Sequence, residues 1–308
     1  MQIHQDWQWL DPKARGASVA LGNFDGLHRG HQAVLDLARR NDAPLGVVTF
    51  EPHPRQFFSP KGPAFRMMNA ESRANRLEKL GVEHLYQLPF NTALAGLSAE
   101  AFARDILAEG LGVSHVVVGE DFCFGKGRLG RAKDLERFGQ IYGFQTTIAP
   151  LITLSGQDVS STAIRQALSE GRPRDAAAML GHWHRIEGEI IHGEKRGREL
   201  GFPTANMALD ALHLPKFGVY AVLVDVLTGP QKGSYMGAAS LGTRPMFDGE
   251  IPNLETYLLD FKGDLYGHSL SIALVEYLRP ELKFTGLPAL IEQMDADCVK
   301  AREILSAL

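Results

Sequence analysis

Gly22-Asn23-Phe24-Asp25-Gly26-Leu27-His28-Arg29-Gly30-His31 decides the first half of this chain. It follows a short strand-forming run, residues 18–21, and opens a helical segment over 30–40. Strand, glycine turn and helix in that order bring free backbone N–H groups and the positive end of a helix dipole to one place, where an anion can sit. Gly22, Gly26 and Gly30 let such a ligand approach the main chain closely. His28 and His31 are three apart, so both imidazoles can face the same phosphate. Two histidines on a tight turn also occur on ordinary surfaces; the strand-to-helix setting is what favours the anion. Outward from this motif the pattern repeats. Strand candidates at 45–50, 84–88, 115–118 and 146–151 alternate with helix candidates at 70–80, 98–109, 133–142, 160–170 and 173–180. Near-continuous apolar strands such as Val116-Val117-Val118 belong to a parallel sheet covered on both faces, so the first half is predicted to be α/β.

From about residue 184 the helices give way to longer alternating segments at 185–192, 219–227, 234–241, 254–261 and 270–278. Leu270, Ile272 and Leu274 share one face, the period of a half-buried strand, which predicts a mostly antiparallel sheet or small barrel. Leu287, Leu290, Ile291, Met294, Cys298, Ala301, Leu305 and Leu308 then form a stripe at helical spacing, a C-terminal helix expected to dock on that sheet. The break in style gives two domains, 1–182 and 183–308, with no long linker between them.

Composition limits what these domains can do. At 308 residues each half can bury its own core. Thirty-two Lys and Arg against 36 Asp and Glu give a net charge of −4, so no general basic face is available for a nucleic acid. Two cysteines make no disulfide framework, and with no apolar run near the ~20 residues of a membrane span, the expected home is the cytoplasm. The oligomeric state stays open.

Further segments carry chemistry. Ser160, Ser161 and Thr162 precede a helix with Arg165 in its first turn, which reads either as plain capping or as a second anion-facing helix start. Gly125-Lys126-Gly127-Arg128-Leu129-Gly130 matches Gly-x-Gly-x-x-Gly, but it begins several residues after its strand and no acidic residue ends the next one, so a dinucleotide fold of the NAD type is rejected. Lys195, Arg196 and Arg198, around Gly197, make the densest basic cluster; a solvated hairpin turn is the bland reading. Pro203-Thr204-Ala205-Asn206 is read as a rigid turn presenting a hydroxyl and a carboxamide together, oxygen donors suited to Mg²⁺.

His-x-Gly-His after Gly-Asn-Phe-Asp-Gly resembles the nucleotidyltransferase superfamily, and specifically the bacterial bifunctional riboflavin kinase/FAD synthetases. Thr49-Phe50-Glu51-Pro52-His53-Pro54, Val118-Gly119-Glu120-Asp121-Phe122-Cys123-Phe124-Gly125 and Ser160-Ser161-Thr162-Ala163-Ile164-Arg165 resemble the same module in order. The resemblance implies a Rossmann-like nucleotidyltransferase fold for the first half. It also implies ATP contacts from Gly22, Asn23, Phe24, Asp25, Gly30, Ser161 and Thr162, catalytic roles for His28, His31 and Arg165, and flavin contacts from Phe58, Asp121 and Phe124. In the second half, Gly201-Phe202-Pro203-Thr204-Ala205-Asn206, Gly242-Thr243-Arg244-Pro245, Leu254-Glu255 and Gly263-Asp264-Leu265-Tyr266-Gly267 resemble the flavokinase module. There the resemblance implies Glu255 as general base, Thr204 and Asn206 as holders of Mg²⁺ and phosphates, and Lys195, Arg196 and Gly197 as a turn over ATP. Cys123, Ser240, Leu241 and Met246 depart from the family pattern. The implied chemistry is riboflavin to FMN to FAD with ATP as co-substrate and no nucleic-acid or membrane partner. Two alternatives stand beside it: adenylyl transfer to another phosphorylated metabolite, and a non-catalytic flavin-binding regulator.

Overall fold

The strand that feeds the glycine motif lies inside a six-stranded parallel sheet, at the point where strand order reverses. The computed structural model describes residues 1–154, 156–192, 202–209, 211–246 and 249–308. They form two compact units, Met1–Pro63 with Ala70–Ser160, and Ala64–Asn69 with Ser161–Leu308.

In the first unit the elements run β1 (Gln2–His4), β2 (Ser18–Leu21), α1 (Arg29–Ala38), β3 (Leu45–Glu51), α2 (Pro54–Phe58), α3 (Ala70–Lys79), β4 (His84–Pro89) and α4 (Thr92–Gly96). After these come α5 (Ala99–Ala101, continued by a π-helical stretch Phe102–Gly110), β5 (His115–Gly119), β6 (Cys123–Phe124), β7 (Gly130–Arg131), α6 (Ala132–Tyr142), β8 (Gln145–Ala149), β9 (Thr153–Leu154) and β10 (Gln157–Asp158). Sheet order is β1-β4-β3-β2-β5-β8. The chain moves outward from β2 in both directions, so the ends of β2 and β5 flank a topological switch point, where α/β sheets hold their ligands. Val19, Leu21, Val48, Val116 and Val118 are buried together with Leu107 and Leu135 from the covering helices. Each such side chain contributes about 1.5–3 kcal/mol on leaving water. The α/β reading therefore holds, with bounds shifted by a residue or two. Sequence alone missed β1, α2, α4 and the short hairpins β6–β7 and β9–β10; the strand expected at 146–151 ends at Ala149.

The Gly-x-Gly-x-x-Gly decoy is the β6–β7 hairpin. A Cβ at Gly125 would lie 2.6 Å from the Ala99 backbone, and one at Gly130 would lie 2.6 Å from the Ala99 Cβ. Close packing on α5 thus demands these glycines without any phosphate.

The second unit begins with α7 (Ser161–Ser169) and α8 (Pro173–Leu180), whose Ile164, Leu168, Ala176 and Leu180 bury Met67 of the 64–69 segment. Then follow β11 (His184–Glu189), β12 (Thr204–Ala208), β13 (Gly218–Val226), β14 (Gly233–Met246), β15 (Gly249–Leu258), β16 (Ser269–Arg279) and α9 (Leu287–Ser306). All pairs in the sheet β11-β16-β13-β14-β15-β12 are antiparallel, as the alternation predicts. Its two edge strands are tied by an Ile191–Asn206 bridge, with the Ile191 N–H donating to the Asn206 carbonyl at 2.9 Å.

Two expectations change here. Residues 204–206 are not a turn: Thr204 onward is strand β12, because pairing with β15 supplies its backbone groups with partners. The stripe on α9 is only partly buried. Ala301 and Leu305 pack against Ala221 and Val275, while Leu287 and Leu308 are 59% and 61% exposed. The helix is held instead by buried Asp297, whose carboxylate takes hydrogen bonds from Arg279 at 2.7–3.0 Å.

Candidate active sites

In the first unit the glycine motif sits at the carboxyl end of β2. Phe24 and Leu27 adopt positive φ (52° and 46°) and are buried, so they are the pegs of the turn. His28 caps α1: its Nδ1 accepts the His31 backbone N–H at 3.3 Å. The proton of the neutral ring is therefore on Nε2. The His28 and His31 rings stack with centroids 3.6 Å apart, and the Phe24 ring stands 5.1 Å from that of His31. Burial first, and then the neighbouring His28, hold the His31 imidazole well below its ordinary pKa of 6.5. His31 is thus neutral at pH 7, and its Nδ1 is enclosed without a hydrogen-bond partner among the described residues. A Cβ at Gly30 would stand 3.1 Å from the His28 ring, so glycine at this position is what lets the imidazole lie over the helix start.

A residue that sequence reasoning missed organises this loop. Arg73 on α3 is 1% exposed. Its Nη2 donates to Glu51 Oε2 at 3.0 Å and Gln87 Oε1 at 3.2 Å, and its Nη1 reaches the Asn23 carbonyl at 3.4 Å. The same carbonyl accepts the Thr49 hydroxyl at 3.2 Å. One guanidinium thereby joins the loop after β2 to the strands β3 and β4, using its planar fork of donors. The available signal was position: Arg73 falls on the apolar stripe of α3 with Ala74 and Leu77.

Of the other expected residues, Asp25 is buried in the motif, Asp121 is exposed, and Gly22 and Asn23 are partly exposed. Phe58 is 67% exposed at the end of α2, its ring at 79° and 76° to those of Phe57 and Phe90. Phe124 lies in the core, 6% exposed, 5.7 Å from each of Phe102 and Phe122. It supports the wall rather than presenting a free face. Ser161, Thr162 and Arg165 belong to α7 of the second unit. There Arg165 Nε donates to the Phe65 carbonyl at 2.6 Å, and its guanidinium stands over the Phe65 ring.

The second unit gathers Thr204, Asn206 and Glu255 across one strand pair. Asn206 is opposite Glu255, and Thr204 opposite Tyr257, in the β12–β15 register. Glu255 shares a strand face with Tyr257 as its alternation predicts, although Leu259 and Phe261 lie beyond the end of β15. Asn253, on the same face two residues before Glu255, completes the cluster and was missed. Its Nδ2 is 3.2 Å from Asn206 Oδ1 and 3.2 Å from Glu255 Oε1. Asn206 in turn donates to the Thr204 carbonyl at 3.2 Å. Thr204 and Asn206 also line a pocket with Pro203, Phe261, Asp264 and Tyr266. Lys195, Arg196 and Gly197 lie outside the described residues.

Comparison with known proteins assigns both units. Residues 10–163 match the family model described as FAD synthetase, and residues 180–305 the one described as riboflavin kinase. A bifunctional riboflavin kinase/FMN adenylyltransferase of Pseudomonas fluorescens is 41% identical over 309 residues, 99% of this chain and 98% of that protein. The protein of the same description from Escherichia coli (strain K12) is 37% identical over 94% of this chain and 92% of its own. A crystal structure named as a macrolide-efflux protein from Streptococcus pneumoniae shares the fold with a TM-score of 0.82, at 31% identity over 96% of each chain. Among the described residues of the present chain, no helix is long and apolar enough to cross a membrane. Matched in each half by its own module, and end to end by proteins carrying both, the chain belongs to the bifunctional riboflavin kinase/FMN adenylyltransferase family.

Proposed function

We infer that the chain makes FMN from riboflavin and ATP in its second unit, and FAD and pyrophosphate from FMN and another ATP in its first. What carries the inference is that each matched family segment holds its own phosphate-handling cluster: the histidine-capped glycine turn in one, the Thr204–Asn206–Asn253–Glu255 group in the other. The functional boundary is proposed at 182/183, where the change of style falls within three residues of the start of the second matched segment. The cytoplasm is the proposed compartment; Cys123 and Cys298 are both free thiols.

For adenylyl transfer, a phosphate oxygen of FMN attacks the α-phosphorus of ATP and pyrophosphate leaves. No protein nucleophile is needed, so the residues position groups and spread charge. The N–H groups at the start of α1 and the Nε2–H of His28 are donors for the phosphates. Burial and the neighbouring His28 keep His31 neutral in the free protein, and a polyphosphate beside the pair favours its protonated form. The pair thus gains positive charge as the substrate arrives. Phe58 offers an exposed aromatic ring to the flavin, and Ser161, Thr162 and Arg165 are retained as proposed ATP contacts.

For phosphorylation, Glu255 orients and deprotonates the ribityl hydroxyl, whose oxygen attacks the γ-phosphorus of ATP as the bond to the β,γ-bridging oxygen breaks and ADP leaves. The Thr204 hydroxyl, the Asn206 carboxamide and the Asp264 carboxylate are hard oxygen donors around one pocket, a set that fits Mg²⁺. Thr204 and Asn206 would hold the ion, which when bound neutralises phosphate charge.

The test is direct. Incubation with riboflavin, ATP and Mg²⁺, followed by chromatographic separation, should yield FMN and then FAD. His28→Ala should accumulate FMN, and Glu255→Ala should form FAD only from supplied FMN. Wild-type protein that binds flavin but forms neither product would instead be a regulator.

A further inference from the structure

We propose that Asn253 is a positioning residue of the kinase centre, one carboxamide nitrogen holding both the base and the metal-side amide in place; the proposal rests on the reading of Glu255 as base. Asn206 and Glu255 face each other directly across β12 and β15. Directly opposed side chains start from Cβ atoms about 5 Å apart. Here both present acceptor oxygens, which repel unless a donor lies between them. Asn253 supplies that donor. It is 5% exposed, and its Nδ2 stands 3.2 Å from each acceptor.

The orientation of the amide follows from chemistry. An ionised carboxylate only accepts hydrogen bonds, so the end of Asn253 facing Glu255 must be the NH₂. An NH₂ group has two hydrogens, matching the two acceptors. Asn206 is oriented as a consequence: its Oδ1 faces Asn253 and its Nδ2 reaches the Thr204 carbonyl at 3.2 Å. The chain of bonds runs from base to Asn253 to Asn206 to the backbone of the pocket-lining strand. Hydrogen-bonded networks of this kind fix one arrangement of a buried polar group. A misoriented base loses rate without losing substrate, since the base acts only as the proton moves.

Two substitutions in the full chain test this: Asn253→Leu, similar in size with no donor, and Asn253→Asp, the same shape with acceptors only. Both should lower kcat for FMN formation by about 100-fold, the lower end of what general-base catalysis supplies. Riboflavin affinity, read by quenching of flavin fluorescence, should change less than about tenfold, the scale of a single hydrogen bond. FAD formation from supplied FMN should stay within about twofold, since it draws on the other unit. In a Glu255→Ala background, adding Asn253→Leu should lower the remaining FMN formation by less than about threefold, because the two residues act as one. Loss of riboflavin binding in step with turnover in both variants makes the residue merely structural and overturns the proposal. So does full additivity with Glu255→Ala, or an unaffected kcat in Asn253→Leu beside an inactive Glu255→Ala. A Glu255→Ala protein that forms FMN at the wild-type rate removes the base assignment itself.

Discussion

Replacing Arg73 by methionine removes the guanidinium that joins the glycine loop to strands β3 and β4 of the adenylyltransferase unit while keeping most of the apolar stem. Its side chain is 1% exposed, and that of its partner Glu51 is 28% exposed. Deleting one partner of a buried pair costs about 3–5 kcal/mol, because the remaining charge stays in low dielectric. The partial exposure of Glu51 puts Arg73→Met at the lower end, about 3 kcal/mol. For a unit of this size each kcal/mol moves Tm by about 2–4 °C, so the transition of the first unit should fall by roughly 6–12 °C. Scanning calorimetry of the full chain measures it, with loss of FAD formation on heating assigning the transition. The Asn23 carbonyl also loses a donor, so KM for ATP in FAD formation should rise even well below that transition. Part of the penalty belongs to the Glu51 carboxylate deprived of this guanidinium, so Arg73→Met with Glu51→Leu should regain part of the loss. A Tm shift under about 2 °C with unchanged KM would refute the view that this pair organises the loop.

Gly30→Ala puts a methyl 3.1 Å from the His28 ring; KM for ATP in FAD formation should rise several-fold while FMN formation is unchanged, as steady-state rates of both reactions will reveal. His184 is buried, and burial first, then His182 and His213, lower its pKa from 6.5 to about 3. The folded state therefore needs the neutral ring: its contribution is complete above pH 6.5 and is lost as pH falls toward 3, by up to about 1.4 kcal/mol per pH unit. Urea midpoints between pH 7.5 and 5 should decline, and His184→Gln should flatten the slope; an equal slope in both proteins counts against the assignment. Asp297→Ala leaves Arg279, whose side chain is only 15% exposed, without its carboxylate and should destabilise the second unit by about 3 kcal/mol. An unchanged urea midpoint for that unit would show that α9 is held by Ala301 and Leu305 alone.

The sequence disclosed the architecture because each half keeps one period. The first alternates apolar strands with amphipathic helices, and the second alternates residue by residue. The glycine motif was equally legible, since its meaning is local: strand end, turn and helix start are contiguous in the chain. What escaped depends on distant partners. Pro203-Thr204-Ala205-Asn206 looked like a turn because of its proline, and the strand character from Thr204 onward comes from β15, about fifty residues on. Arg73 and Asn253 escaped for the same reason: each is an ordinary polar residue until tertiary pairing buries it beside carboxylates. A polar residue on the buried stripe of a helix, or two before a base on one strand face, is the sequence signal that finds such groups.

The bridge between Ile191 and Asn206 closes the second sheet with main-chain atoms alone. Closure and the proposed metal binding therefore meet at one residue but use different parts of it. In a duplicated copy of this gene, a single change at the Asn206 side chain could silence phosphorylation while the clasp still shuts. Natural selection would then inherit a folded shell, ready to be refitted as a receptor, without first having to solve the problem of folding again.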